Sequence, residues 1–419
     1  MLSRSAVLHI WRFVLAAMLA CFGEPVAAQS AAPAPLLGDL GGVRARLAAV
    51  GIALGLTDTE SLFGNVAGGV KQGATLQGLT EATLQADLDK SIGLAGGTIY
   101  ASALQIHGRN FSPYYLDNLQ NVNTTEAQDG TRLWELWYDQ TLAHGLLDLR
   151  IGQQSIDQEF MVSQFGGVFS NMMSGWPILT TADLYAGGPA YPLSSLAVRL
   201  LVTPSREFAV QAAVFDDNPP GGSFDDDPAN HDAGGIRFNL QDGALFITEA
   251  NVSLPATDLP GTYKIGGWYD SGWFGDFDAT PSGRMHGNYG AYAMADQTIW
   301  ASGARSLNFL FRILGAPADR NLVDLSANAG FTITAPLAHR PYDILAMEVG
   351  IAHANGTAPV HGIETALELT YAAQIRRWLV LQPDVQFIVN PGAGQYNPAR
   401  PGQHLHNAWV VGVRSISTF

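Results

Sequence analysis

Side chains capable of chemistry fall into three patterns in this 419-residue chain. The first is a set of charged and aromatic residues on one phase of otherwise apolar, alternating segments: Glu135, Trp137 and Asp139; Asp148 and Arg150; Arg199; Arg237; and Glu249. Residues spaced by two project from one face of an extended strand. They offer charge-assisted hydrogen bonds, a binding chemistry that needs no proton-transfer group. The second is a run of carboxylates among prolines and glycines at 216–232, including Asp216, Asp217 and Asp232. Clustered oxygens suit Ca²⁺, and Asp225, Asp226 and Asp227 are the candidates for it, although the spacing is not that of an EF-hand loop. The default is a solvated acidic outer loop. The third is hydrolytic. Ser194, Ser195 and His231 are the residue types of a lipase or esterase, but no G-x-S-x-G motif, P-loop or helical zinc-ligand pair accompanies them.

The composition narrows the class. Charged residues make up 14% of the chain and hydrophobic ones 47%, against about 25% charged in an average soluble domain. Mean hydropathy is nevertheless only +0.08, so apolar side chains are dispersed among polar ones. That pattern suits a barrel with one lipid face and one wet face. A net charge of −15 and the lack of a basic stripe argue against nucleic acid.

Residues 1–28 read as a secretory signal peptide. Arg4 and Arg12 precede an apolar run from Phe13 to Phe22, and Pro25-Val26-Ala27-Ala28 fits cleavage before Gln29. The run falls well short of the roughly 20 residues that cross a bilayer as a helix. Cys21, the one cysteine, lies inside this segment, which leaves an exported chain without disulfides. No later stretch is continuously apolar over about 18 residues.

Residues 29–50 form a small-residue linker and a short helix. Asp39 is placed to cap it, Val43, Leu47 and Val50 share a face, and Gly51 ends it. From 51 to 419 the period is two. Segments 83–89, 235–241, 323–331 and 361–371 alternate cleanly, and less regular strands lie near 97–107, 132–142, 145–152, 196–203, 207–215, 244–253, 262–271, 297–303, 306–313, 344–353, 376–389 and 406–419. Many reach the nine to eleven residues or so of a tilted membrane strand, and short and long connections alternate. The last strand carries Trp409, Val411, Val413 and Phe419 in phase, resembling the terminal signal read by outer-membrane assembly machinery. An open sheet edge in lipid would strand backbone groups, so the barrel must close. The expected fold is all-β: a transmembrane antiparallel β-barrel spanning 51–419.

Several short motifs occur in a specific order: Leu37-Gly38-Asp39-Leu40-Gly41-Gly42-Val43-Arg44, Leu104-Gln105-Ile106-His107-Gly108, Leu133-Trp134-Glu135-Leu136-Trp137-Tyr138, Leu149-Arg150-Ile151-Gly152-Gln153 and Gly187-Gly188-Pro189-Ala190-Tyr191-Pro192. In these the chain resembles the carbohydrate-selective porin family, OprB. The resemblance implies a monomeric barrel of about 16 strands that admits glucose and related sugars across the outer membrane of a Gram-negative bacterium, with outer-membrane lipids and the barrel-assembly machinery as partners. Nothing in it implies a cofactor.

A sugar channel needs aromatic faces for the C–H side of a pyranose and polar groups for its hydroxyls, with binding weak enough for release. If the apolar phase faces lipid, Trp134, Leu136 and Tyr138 point out. Glu135, Trp137, Asp139, Arg150, Arg199, Arg237 and Glu249 then point into the lumen. Segment 153–195 is too long for an ordinary turn. It carries Asp157, Glu159, Phe165, Trp176 and Asp183, candidates for a constriction if it folds inward; the alternative is a compact cap packing its own aromatics. Two other functions stay open: an outer-membrane barrel esterase using Ser194 and His231, and a soluble periplasmic carbohydrate-binding β-protein.

Overall fold

The computed structural model describes residues 35–222, 226–254, 259–276, 283–355 and 360–419. The expected signal peptide at 1–28, most of the linker after it, and Asp225 lie outside these residues. Sixteen strands follow one short helix, α1 (Val43–Ala49). They are β1 (Ile52–Gly69), β2 (Gly73–Asp87), β3 (Gly97–Gly108), β4 (Gly130–Leu142), β5 (Leu147–Gln154), β6 (Ser195–Val202), β7 (Phe208–Asp216) and β8 (Ala244–Leu254). The second half comprises β9 (Gly261–Asp276), β10 (Gly283–Ser302), β11 (Arg305–Gly315), β12 (Val323–Thr334), β13 (Ile344–Asn355), β14 (His361–Arg376), β15 (Leu379–Val389) and β16 (His406–Thr418). Each pairs antiparallel with the next, and β16 closes on β1 from Thr57 opposite Thr418 to Gly64 opposite Val411.

The alternation of β14 shows why a closed wall forms. Ile363, Leu367 and Leu369 point outward and stay 39–48% exposed, while Glu364, Glu368 and Thr370 on the other phase are buried inside. Leu84 and Leu325 share the outward belt. A water-soluble sandwich would bury these leucines between its sheets. No helix among the described residues is long and apolar enough to cross a membrane.

Connections at one end are short, such as the two residues between β14 and β15. The other end carries the long segments 109–129, 155–194, 217–243 and 390–405, the pattern of periplasmic turns and outer loops. α1 sits at the short-turn end, and α2 (Leu88–Ile92) lies in the connection from β2 to β3. The N-cap of α1 is Gly42 and not the expected Asp39, which lies three residues earlier and accepts the Ala45 N–H at 2.9 Å; Arg44 Nη2 donates to Phe419 O at 2.6 Å.

Three expectations need correction. Residues 235–241 alternate but form no strand. They cross the outer mouth without a ladder partner, leaving Ile236, Phe238 and Leu240 exposed. Alternation reports extended backbone, and only pairing makes a strand. Second, Trp134 points inward, packed with Leu104 and Ile106. The register slips there, since Ser102 pairs with Glu135 and Ala103 with Leu133. The extra residue of a bulge shifts the phase, so Trp134 and Glu135 both end up buried. Third, β1 was not among the expected strands, because Asp58 and Glu60 interrupt its apolar phase.

Candidate functional site: a restriction inside the barrel

Segment 155–194 does not cap the mouth. It enters the lumen and is fastened to the wall around much of its circumference. Its short helices, including α4 (Ile178–Asp183), place Ile156, Phe160, Met161, Met172 and Leu179 against an apolar lumen patch from Ala197, Phe215, Leu245, Ile247 and Leu314. The lumen face here is apolar because a protein segment covers it.

Elsewhere the wall holds the segment with charge. Wall carboxylates accept its backbone N–H groups. Glu135 takes Ser155 N at 3.1 Å, Glu249 takes Met161 N at 3.0 Å, and Asp296 takes Gln164 N at 2.9 Å. Glu368 takes Ser170 N and Asn171 N at 2.7 and 2.9 Å, and Glu348 accepts from Ser174 Oγ at 2.7 Å. Wall cations hold its carbonyls. Arg312 reaches Gly175 O at 2.8 Å, Met161 O at 3.3 Å and Met173 O; Lys264 reaches Val162 O at 2.9 Å, and Arg414 reaches Val168 O at 3.1 Å. A buried charge is tolerable only when paired and hydrogen-bonded, and this irregular backbone supplies the partners. Segment 109–129, which carries α3 (Ser112–Tyr115), also turns inward. Glu364 accepts Leu119 N and Gln120 N at 2.8 Å each, and Gln386 donates to Val122 O at 2.8 Å.

The expected lumen residues separate accordingly. Asp139, Arg150, Arg199 and Glu159 come together in one network with Asp148. Arg150 Nε meets Asp139 at 3.0 Å, Arg199 Nη2 meets the same oxygen at 3.2 Å, Arg199 Nε meets Glu159 at 3.3 Å, and close contacts link Arg150 to Glu159 and Arg199 to Asp148. Trp137 serves this network. Its ring stacks on Tyr100 at 4.9 Å and lies 3.7 Å from the Arg150 guanidinium. Glu135 and Glu249 anchor the inward segment. Arg237 is not in the lumen: it is exposed on the mouth segment and donates to His231 O at 3.2 Å. Asp183 fastens α4 to the wall, accepting Leu322 N at 2.7 Å, and burial pushes its carboxyl up to about 8.

Two cavities adjoin at the remaining candidates. The upper, about 440 Å³, and the middle, about 290 Å³, share Thr124, Asp157, Gln158, Gly175 and Trp176 in their linings. A lower chamber of about 590 Å³ shares Gly167 and Arg414 with the middle one and includes Phe165. Trp176 Nε1 donates to Gly187 O at 2.9 Å, which fixes the indole. Asp157 accepts from Ser155 Oγ at 2.5 Å, and burial raises its carboxyl above the ordinary range. Glu126, lining the upper cavity, is pushed up to about 7 by burial.

At the outer mouth, Asp226 pairs with His231 at 2.7 Å and Asp227 caps Ala229 N at 2.9 Å. Among the described residues no group of three or more His, Cys, Asp or Glu is placed to hold a metal. Ser194 Oγ accepts from Gln153 at 2.8 Å. Asp217, beside Asp270, is buried with neither carboxylate oxygen meeting a donor. Burial, then the charge of Asp270, push it up to about 8. A carboxyl raised on folding costs stability as pH climbs from its unfolded value near 4 to its folded value near 8. Asp217→Asn is therefore expected to flatten that decline, read as melting temperature against pH; an unchanged slope would contradict it.

Sequence reasoning missed Asp296, Arg312, Glu348, Glu364, Glu368 and Arg414 as functional residues. Each was detectable as a charge inside an alternating strand, where facing lipid would be costly. The inward path of 109–129 left no comparable signal.

Comparison with known proteins places this architecture. A family model described as "Carbohydrate-selective porin, OprB family" matches residues 71–419. Porin B of Pseudomonas aeruginosa is 23% identical over 436 residues, covering 92% of this chain and 91% of that protein. The putative porin QuiX of Acinetobacter baylyi is 22% identical over 431 residues, covering 90% and 91%. The high-pH structure of Pseudomonas putida OprB superposes with a TM-score of 0.81 at 22% identity, covering 94% of this chain and 100% of that one. The low-pH structure of the same protein gives 0.61 at 19%, covering 93% and 100%. The family match over most of the chain, on a closed barrel of sixteen strands, shows that this protein belongs to the carbohydrate-selective porin family, OprB, of the Gram-negative outer membrane.

Proposed function

We propose that the chain passes small neutral sugars such as glucose by passive diffusion, selecting them where the upper and middle cavities meet. The observation that carries this reading is the composition of that narrowing: the Trp176 indole beside the Gln158 amide, the Thr124 hydroxyl and the Asp157 carboxyl. An indole face suits the C–H side of a pyranose, and the polar groups suit its hydroxyls. The wall cations and most wall carboxylates are committed to the inward segment, so they shape the passage instead of binding solute strongly. Weak contacts at successive sites favour entry and release alike.

Proteoliposomes containing the protein are expected to swell faster in glucose than in a disaccharide at equal osmolarity. Swelling no faster than protein-free liposomes would overturn the proposal. Trp176→Ala is expected to weaken the inhibition of ion current by glucose about tenfold, equivalent to about 1.4 kcal/mol. Unchanged inhibition would remove Trp176 from the solute path.

A further inference from the structure

The lower chamber, about 590 Å³, lies toward the short-turn end, where β11 begins and β12 ends. Three strands bring a row of uncharged polar side chains to its wall. Thr298 on β10 pairs with Asn308 on β11, and Asn308 pairs with Thr332 on β12, so the three stand side by side. Ser306 and Thr334 pair on the next inward rung. All five line the chamber. Higher up, the wall meets the inward segment with carboxylates, cations and apolar side chains. Here Thr298, Ser306, Asn308 and Thr332 bond to one another instead.

The bonds within the row have a direction. Thr298 Oγ1 donates to Asn308 Oδ1 at 2.9 Å, and Asn308 Nδ2 donates to Ser306 Oγ and Thr332 Oγ1 at 3.1 Å each. The amide has then used its carbonyl and both hydrogens. A hydroxyl has one hydrogen to give and can also accept. Thr298 has spent its hydrogen on the amide, which leaves its oxygen as an acceptor. Thr332 accepts from the amide and keeps its own hydrogen to donate. Asn308 therefore sets an acceptor at one end of the row and a donor at the other. β10 and β12 are two strand spacings apart, about 9–10 Å. A pyranose bridges that reach with hydroxyls at its opposite edges, since each of them can donate or accept.

The inward segment supplies an aromatic ring beside this row. Phe165 packs against Leu310 and Ala346, which adjoin Asn308 and Thr332 on the inward face, and it stays half-buried where it lines the chamber. Arg414 is the one charged residue among the described lining. Its guanidinium is already engaged, with Gln382 at 2.8 Å and Val168 O at 3.1 Å. An aromatic ring beside uncharged hydroxyls suits a neutral sugar and offers an ion little.

We infer that the lower chamber is a second binding site for a neutral monosaccharide, held between Phe165 and the row Thr298–Asn308–Thr332. The sugar occupies it after the narrowing at Trp176 and before release at the short-turn end. The inference rests on the sugar-channel reading above, but it uses different residues in a different cavity. A second weak site in series gives the sugar leaving the first a place to move forward.

The test is protection of a cysteine placed in the chamber but outside the row. Thr334→Cys is made in a Cys21→Ser background, which leaves no other cysteine. The purified protein in detergent, open at both ends, is labelled with a small maleimide with and without glucose. Saturating glucose is expected to slow labelling severalfold. Protection should persist in Trp176→Ala. It should be lost when Thr298→Val and Thr332→Val are combined, and weakened by Phe165→Ala, which leaves the wall intact. Heat-modifiable migration confirms that each variant folds. Protection that vanishes in Trp176→Ala, or that survives removal of both hydroxyls, would overturn the inference. Absence of protection in a channel whose current glucose still reduces would overturn this site alone. Glucose affecting neither labelling nor current would overturn the sugar-channel reading with it.

Discussion

Removing residues 161–174 and bridging the gap with a short flexible linker is expected to raise single-channel conductance severalfold and to abolish its inhibition by glucose. The wall alone encloses a wide water-filled lumen; the resistance comes from the segment that Glu249, Asp296 and Glu368 hold by its backbone and Glu348 by the Ser174 hydroxyl. Once the segment is gone, those carboxylates and Lys264, Arg312 and Arg414 face water and are solvated, so the barrel can persist. Heat-modifiable migration on gels checks that it does. Unchanged conductance in a folded variant would mean that the segment does not set the resistance.

The second large effect is expected at Arg312, one of the largest fully buried side chains. Its guanidinium holds carbonyls at both ends of the 161–175 stretch and also meets Asn328 at 3.1 Å. Arg312→Met leaves those carbonyls unpaired and removes the cation beside Glu348 and Asp296. Each buried acceptor left without its donor costs about 1–3 kcal/mol. The expected readout is a markedly lower melting temperature in detergent, together with rapid current fluctuations as the segment works loose. Arg312→Lys should recover only part of both, because an ammonium cannot present the same fork of donors. A variant as stable and as quiet as the parent would show that the segment is held by its apolar contacts alone.

The fold was legible in the sequence because a two-sided solvent imposes period two. β14 states both faces outright in Ile363-Glu364 and Leu367-Glu368. The same rule misled at 235–241, where extended backbone crosses the mouth unpaired, and at Trp134, where a bulge slips the phase by one residue. β1 stayed hidden because Asp58 and Glu60 break the run of leucines on its outward face.

The site was legible in part. Length and aromatic content marked 153–195 as functional, and phase placed Glu135, Asp139, Arg150, Arg199 and Glu249 inside. Their partners could not be read from spacing, because the bonds join residues far apart in the chain, as between Ser170 and Glu368. That is why the bonds of Glu135 to Ser155 and of Glu249 to Met161, which hold the inward segment, were not foreseen. Trp137 likewise spends its ring on Tyr100 and Arg150. Only Asp157 and Trp176, of the expected residues, line the meeting of the upper and middle cavities.

The most direct measurement is the current through one channel in a planar bilayer as glucose is titrated. The narrowing at Asp157 and Trp176 predicts a current that falls along a saturating curve, with a half-point lower for glucose than for a charged sugar acid. A decrease that never saturates, tracking only the viscosity of the solution and equal for both solutes, would contradict a sugar-selective restriction inside this barrel.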